Sequence, residues 1–397
     1  MSAEILFLAH RIPYPPNRGD KIRSWHLLRA MTRIAPVHVC ALWDDARDLA
    51  HVSFLRTIAA SVHVEPATLS RAAAIGIALL TGQPASVAAC RSRAMRDAVR
   101  GVLESRPIKT IFTFSGQMAQ FVPPSGGSHR FVMDFVDMDS EKFAAFGGVA
   151  HREEARRLFA YELAVARRAD LSLFVSEAEA HLFRSKTRLG VDKVGVLENG
   201  IDLVEYDPTL KHESIGLASG DLIVFTGQMD YRPNIEAVRF FATEVLPKVR
   251  QERFDARFAI VGRSPTASVR ALAALPGVVV TGEVPDTRGW LAAADVVVSP
   301  LKIARGVQNK VLEAMAMGKA VVVSRAAAEG IDATEMLVAD TAQAQATAII
   351  GLLRDPGTAR RLGQCARKRM EARYGWDSRL GNLRSVLDLG GCGSVLA

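Results

Sequence analysis

What this chain lacks narrows the choices before any motif is weighed. Its four cysteines, Cys40, Cys90, Cys365 and Cys392, are scattered, with no Cys-x-x-Cys pair. That spacing argues against a zinc site and suits reduced thiols in the cytoplasm, with no disulfides expected. Aromatic residues make up only 7% of the sequence. This is too few for the stacking surfaces that accompany arginine and lysine in nucleic-acid modules, so nucleic acid is not an expected partner. No apolar run in the first half approaches the roughly 20 residues of a membrane span, the longest being Ala72 to Leu80. The N-terminus opens directly on a strand, Glu4 to Ala9, without the basic segment and apolar core of an export signal. There is no internal repeat, and no dinucleotide fingerprint follows the first strand. Acids are in deficit, 42 against 50 bases for a net charge of +8, which favours anionic partners such as nucleotide phosphates or an acidic membrane face.

At 397 residues the chain is too long for one ordinary α/β core, and two domains of roughly 150 to 200 residues are expected. The 49% of hydrophobic residues can fill both. Short β-branched runs alternate with helical patterns throughout. In the first half the strands are read at Glu4–Ala9, Val37–Trp43, Val62–Val64, Thr110–Ser115, Arg130–Val136, Asp170–Ser176 and Val194–Glu198. In the second half they fall at Leu222–Phe225, Ala259–Val261, Val278–Val280, Asp295–Leu301, Val321–Ser324 and Met336–Ala339. Strands spaced by helices predict parallel sheets, hence two Rossmann-like α/β domains. Asn199-Gly200-Ile201-Asp202 interrupts the rhythm with a turn signal. The linker is therefore placed at about 203–219, with domains at 1–203 and 204–375.

In the first half, His10, Arg11, Gly19, Asp20, Lys21 and Arg23 follow the first strand, at the sheet edge where doubly wound folds place ligands. Asp20 could equally be a helix N-cap, with Lys21 and Arg23 in a solvated first turn. Asp134, Asp137 and Asp139 end another strand. They can be read as the metal-holding Asp-x-Asp run of a GT-A glycosyltransferase, or, for Asp139 with Ser140, as the cap of the next helix. That helix, Glu141 to Arg168, is interrupted by Gly147 and Gly148 and reads as a mostly solvated, charge-paired face that includes Glu153, Arg156 and Glu162. An apolar stretch, Ser70 to Gly82, precedes a helix carrying Arg91, Arg93, Arg96 and Arg100. Such a pairing suits an anionic membrane surface, or simply a core helix beside a solvated one.

Asp295 to Val323 organises the second half, reading as strand, loop, short helix and strand. Val311, Leu312, Ala314 and Met315 form a helical stripe from Asn309 to Met317, and Asn309 is a good N-cap. At a βα junction in a parallel sheet, the N–H groups of the first helical turn face any bound anion. Glu313 falls four residues after Asn309 and three after Lys310, so the three share one helix face. A carboxylate there can accept two hydrogen bonds from a ribose diol. The plain alternative makes Glu313 a solvated residue paired with Lys310.

This stretch resembles the nucleotide-sugar site of family 4 glycosyltransferases of the GT-B fold: Glu313-Ala314-Met315-Ala316 and Gly318 match the second half of that family's motif. Arg305 stands where the family has its first glutamate. With Gly306, Asn309 and Lys310, it is more similar still to a subgroup of sugar transferases of bacterial exopolysaccharide systems, the PEP-CTERM/EpsH type. The resemblance covers essentially the whole chain. It implies two Rossmann-like domains facing a cleft, with a C-terminal helix, 376–389, crossing back to the first. Leu380, Leu383, Val386 and Leu387 would give that helix one apolar face. It also implies a nucleoside diphosphate sugar as donor, a glycan or polyprenyl-linked acceptor, retention of anomeric configuration, no cofactor and no metal.

Arg305 and Lys310 are the residues expected to stabilise the leaving diphosphate. Gly227, Arg232, Arg263, Gly306, Asn309 and Glu313 are expected around the nucleotide sugar, with the backbone near Glu283 and Val284 against the base. The family's usual arginine and lysine after this glycine are replaced by Gln228 and Asn234. On the acceptor side the expected residues are His10, Gly19, Asp134 and Asp137. Two other readings stay open: a non-catalytic nucleotide-sugar-binding subunit and a nucleotide-sugar epimerase of the same fold. The expected location is the cytoplasm, with a peripheral position on the inner face of the plasma membrane as the alternative.

Overall fold

A continuous apolar run is satisfied only where both faces of a strand are covered, and Ile5 to Ala9 is wholly buried. The structure, a computed structural model, describes residues 3–389 apart from 68, 125–128, 213–214, 217–219, 305–306 and 333. The chain divides into two units, Met1–Glu198 with Arg379–Ala397, and Asn199–Ser378.

The first unit is built on β1 (Glu4–Ala9), β2 (Val37–Trp43), β3 (Ser61–Pro66), β4 (Ile108–Phe114), β5 (Arg130–Val136), β6 (Leu171–Phe174) and β7 (Val194–Val196). These form one parallel sheet in the order β3-β2-β1-β4-β5-β6-β7. The order reverses direction between β1 and β4, so the loop after β1 opens at the switch point. Helix α1 (Gly19–Thr32) follows that loop, with α2 (Arg71–Thr81), α3 (Arg93–Ser105), α4 (Asp139–Phe146) and α5 (Val149–Arg168) further on. Where one interrupted helix was expected from 141, there are two. Gly147 and Gly148 both take positive φ, a conformation that ends α4 and that other residues adopt only under strain.

Glu162 departs from the solvated-face reading. It is buried on α5 and accepts hydrogen bonds from the Ser140 N–H at 3.0 Å and from the Ser140 hydroxyl at 2.5 Å. It thereby holds the start of α4, and burial pushes its carboxyl up to about 7. Neither Asp20 nor Asp139 is the N-cap of its helix; those positions belong to Arg18 and Met138.

Asp134 is corrected more sharply. It has no exposed surface; its carboxylate takes two bonds from Arg23, at 2.9 and 3.1 Å, and one from the Val136 N–H at 3.2 Å. Arg23 is itself 1% exposed. A carboxylate so enclosed ties α1 to the end of β5 and offers no face to an acceptor. Asp137 and Asp139 are both paired with Lys142. The aspartate run is therefore committed to cations of the protein.

The second unit repeats the plan with β8 (Leu222–Thr226), β9 (Arg257–Val261), β10 (Val278–Gly282), β11 (Val296–Ser299), β12 (Ala320–Val323) and β13 (Leu337–Val338). The sheet is parallel in the order β10-β9-β8-β11-β12-β13. Helices α6 (Arg232–Phe240), α7 (Arg288–Ala293), α8 (Asn309–Ala316) and α9 (Pro356–Arg373) flank it. Gly200 packs so closely on the Trp376 backbone that a Cβ would lie 2.7 Å from it, and the Ile201 N–H donates to the Tyr374 oxygen at 2.7 Å.

The long C-terminal helix is instead two short pieces, Trp376–Arg379 and Leu383–Leu387. Leu380, Leu383, Val386 and Leu387 are nonetheless all buried. The second piece caps polar groups of the first unit: its Leu387 and Val386 carbonyls accept from the Thr110 hydroxyl at 2.7 Å and from Arg130 Nε at 2.9 Å.

Removing one partner of a buried ion pair costs about 3–5 kcal/mol, because the other charge stays desolvated. Asp134→Ala is therefore expected to lower the first unit's unfolding free energy by that order, read as a lower urea midpoint. An unchanged midpoint would contradict the structural role given to this pair.

Candidate functional site

At the carboxyl edge of the second sheet, β8 runs into Gly227, whose N–H donates to the Val261 oxygen at 3.0 Å. A Cβ on Gly262, at the end of β9, would overlap the Gly227 carbonyl oxygen. The two strand exits can lie this close only because Gly262 lacks a side chain. Asn234, in the first turn of α6, is buried and donates to the Gln228 oxygen at 2.9 Å. Its Oδ1 accepts from Lys310 Nζ at 2.6 Å. Lys310 reaches there from the first turn of α8, with its amine 4.3 Å from the centre of the Phe225 ring. A Cβ on Gly227 would lie 3.1 Å from that amine. Without the Cβ, the amine and the Gly227 loop adjoin directly.

Glu313, one turn further along α8, faces the same group and is hydrogen-bonded by the hydroxyl of Tyr206. Tyr206 is positioned by α9: Arg367 Nη1 donates to the Tyr206 backbone carbonyl at 2.6 Å and to the Ala316 carbonyl at 2.9 Å. Burial dominates both titrations. It pushes the Glu313 carboxyl up to about 7, opposed by the Lys310 charge and the Tyr206 hydrogen bond. It brings the Lys310 amine down to about 8, opposed by the Glu313 charge. An amine held part-buried between an amide, an aromatic face and a carboxylate, beside a glycine loop and a helix N-terminus, is suited to receive an anion.

The other expected residues are distributed unevenly. Arg263 is exposed and joins the group through Gln228, its Nη2 donating to Gln228 Oε1 at 3.0 Å. Arg232 does not join; its side chain is 89% exposed and pairs with Glu236 at 2.8 Å along α6. Asn309 is the first residue of α8 and not its cap, which is Gln308. Its Oδ1 is buried without a hydrogen-bond partner among the described residues.

Glu283 is exposed after β10. Val284 lines a cavity of about 420 Å³ with Trp290, Arg288 and His212. Arg305 and Gly306 lie outside the described residues. Sequence reasoning missed Tyr206, Phe225 and Arg367, which come from separate parts of the chain and carry no local motif. It noted Asn234 only as a replacement.

In the first unit, His10 stacks on Phe114 with ring centres 5.6 Å apart. Its Nε2 lies 3.2 Å from Asp20 and 2.8 Å from Arg11, and its Nδ1 is buried with no partner among the described residues. Gly19 is exposed, with open space where a Cβ would stand. Among the described residues, no three His, Cys, Asp or Glu side chains are grouped to hold a metal, and no helix is long and apolar enough to cross a membrane.

Two doubly wound units, with an anion-suited group at the sheet edge of the second, are the architecture of the GT-B fold. Residues 220–355 match the family described as Glycosyl transferases group 1. The chain has the GT-B fold, and the segment that matches the group 1 family lies in its second unit. It is similar to Anabaena HepE in complex with UDP, at 15% identity over 97% of this chain and 99% of that one, with a TM-score of 0.67. Sucrose-phosphate synthase from Thermosynechococcus elongatus is similar at 18% identity over 97% and 98%, TM-score 0.66. The N-terminal domain of Candida albicans trehalose-6-phosphate phosphatase aligns at 14% identity over 98% and 97%, TM-score 0.70. At such identities the likeness shows the fold alone. No curated protein sequence matches the chain.

The two shifted groups set the sign of a pH effect. Glu313 binds its proton more tightly when folded, so stability falls as pH rises towards 7. Lys310 binds its proton less tightly when folded, so stability rises again as pH climbs above 8. In urea unfolding of the second unit followed against pH, Glu313→Gln is expected to remove the fall and Lys310→Met the rise. Retention of both slopes in the variants would show that other groups cause them.

Proposed function

We propose that the chain transfers a sugar from a nucleoside diphosphate sugar to a glycan or polyprenyl-linked acceptor. The observation that carries this reading is the Lys310 amine, held 2.6 Å from Asn234 beside the Gly227 loop at the N-terminus of α8. The diphosphate lies across that loop, and Lys310 with the first-turn N–H groups of α8 takes up the charge that develops as the sugar–phosphate bond breaks. The sugar's anomeric carbon bonds to the acceptor oxygen, and the acceptor's proton passes to the departing phosphate. Glu313 accepts hydrogen bonds from the ribose diol, and Tyr206 holds that carboxylate in place.

Two further features belong to the proposal: retention of anomeric configuration, and chemistry driven by protein charge without a metal. The commitment of Asp134 and Asp137 to Arg23 and Lys142 supports the second. The likeness of the Arg305–Gly318 segment to transferases of exopolysaccharide systems supports a place in exopolysaccharide assembly, with the donor drawn from the cytoplasm. HepE was solved with UDP and with UDP-glucose, so UDP-glucose is the first donor to test.

The test is nucleotide release from UDP-, GDP- and ADP-glucose, with and without a polyprenyl-linked acceptor. One donor is expected to be consumed in an acceptor-dependent way. Lys310→Met should lower kcat/KM about a hundredfold or more, as loss of one preorganised charge does elsewhere. Binding without release contradicts the proposal in favour of a binding subunit, and an epimerised donor contradicts it in favour of an epimerase.

A further inference from the structure

On α2 the burial pattern is inverted. A surface helix normally turns its bulky apolar residues inward, but here the buried positions are Ala74 and Ala78, while Leu79 and Leu80 stand 71% and 88% exposed beside an exposed Ile75. Polar contacts fix the segment on α5. Arg157 Nη1 donates to the Ala78 oxygen at 2.8 Å, and Glu154 accepts from the Ala85 and Ser86 N–H groups at 2.9 and 3.0 Å. The leucines take no part in that docking. At the α4–α5 turn, Phe146 and Val149 are likewise exposed.

Along α2 and α3 the charge is mostly of one sign. Between Leu69 and Leu103 the sequence holds five arginines against a single acid, Asp97. Arg93, Arg96 and Arg100 are exposed on α3, and Asp97 comes no closer than 4.0 Å to Arg93 and 3.8 Å to Arg100.

We propose that this face of the first unit docks on an anionic lipid bilayer, with Leu79, Leu80, Phe146 and Val149 entering the acyl boundary and the α3 arginines meeting lipid phosphates. Apolar area alone would suit a protein partner equally. The arginine-rich, acid-poor run of α2 and α3 is the feature that selects lipid phosphate, because exposed carbons and guanidiniums together match the two layers of such an interface. The proposal goes beyond the transferase reading and does not rest on it.

The test floats the full chain with phosphatidylcholine vesicles, with and without phosphatidylglycerol. The chain is expected to float with the anionic vesicles and to be released by high salt. Leu79→Ser/Leu80→Ser should lower the bound fraction about tenfold, by removing two inserting side chains. Arg93→Gln/Arg96→Gln/Arg100→Gln should abolish the preference for anionic lipid. These positions are exposed, so circular dichroism and nucleotide titration should match wild type; unchanged nucleotide binding separates this result from any failure of the transferase reading. Three results would overturn the proposal: no flotation with anionic vesicles, equal flotation of the leucine variant, or a solution dimer that the leucine variant dissolves. The last would assign the face to a second copy of the chain.

Discussion

The arrangement at the second sheet's edge depends on keeping one ammonium group partly out of water. Desolvation works against the charge on Lys310 and brings its amine down to about 8. The surroundings offset this with the Asn234 oxygen at 2.6 Å, the face of Phe225 and the carboxylate of Glu313. Each partner imposes a condition on the chain. Asn234 must be anchored on Gln228, Gly227 must lack a side chain, and Glu313 must be steadied by Tyr206, which α9 holds through Arg367. A diphosphate placed here would meet a cation whose position is already set, so little reorganisation would accompany charge development.

The first unit uses similar ingredients to a different end. Arg23 and Asp134 are well matched, yet both are buried, and their effect is to fix α1 against the end of β5. Lys21 and Asp48 form a second pair of this kind at 2.9 Å. Cation–carboxylate proximity is thus common to both units, and exposure separates the structural pairs from the candidate site. His10 stands between these cases: its Nε2 is held by Asp20 and Arg11, while its Nδ1 is unpaired among the described residues.

Much of the fold was legible in the sequence because its strands are short β-branched runs bounded by glycine and polar residues; Val296–Ser299 and Ala320–Val323 need little context to read as buried parallel strands. The stretch around Glu313 was legible for the same reason, since a βα junction places a helix N-terminus at the sheet edge wherever the pattern occurs. Long-range pairing was not. Nothing local to Asp134 announces Arg23, 111 residues away, and nothing at Tyr206 points to Glu313. The apparently solvated Glu162 looked like its neighbours on α5, but its partner is Ser140 on another helix. The expected C-terminal helix failed locally: Leu380 to Leu387 kept the apolar pattern of one, but residues 376–387 form two short pieces, the second of which caps Thr110 and Arg130 with its last carbonyls.

The central claim is that Lys310 is the cation that recognises a diphosphate. Its most direct test is calorimetric titration of wild type and Lys310→Met with UDP, GDP and ADP, each beside its own nucleoside. Charge-assisted hydrogen bonds of this kind contribute about 1.5–3 kcal/mol. The preference of wild type for the diphosphate over the nucleoside should therefore shrink by about tenfold or more in the variant, with nucleoside affinity unchanged. An undiminished preference in Lys310→Met would contradict the account and place the phosphate-binding charge elsewhere on the chain.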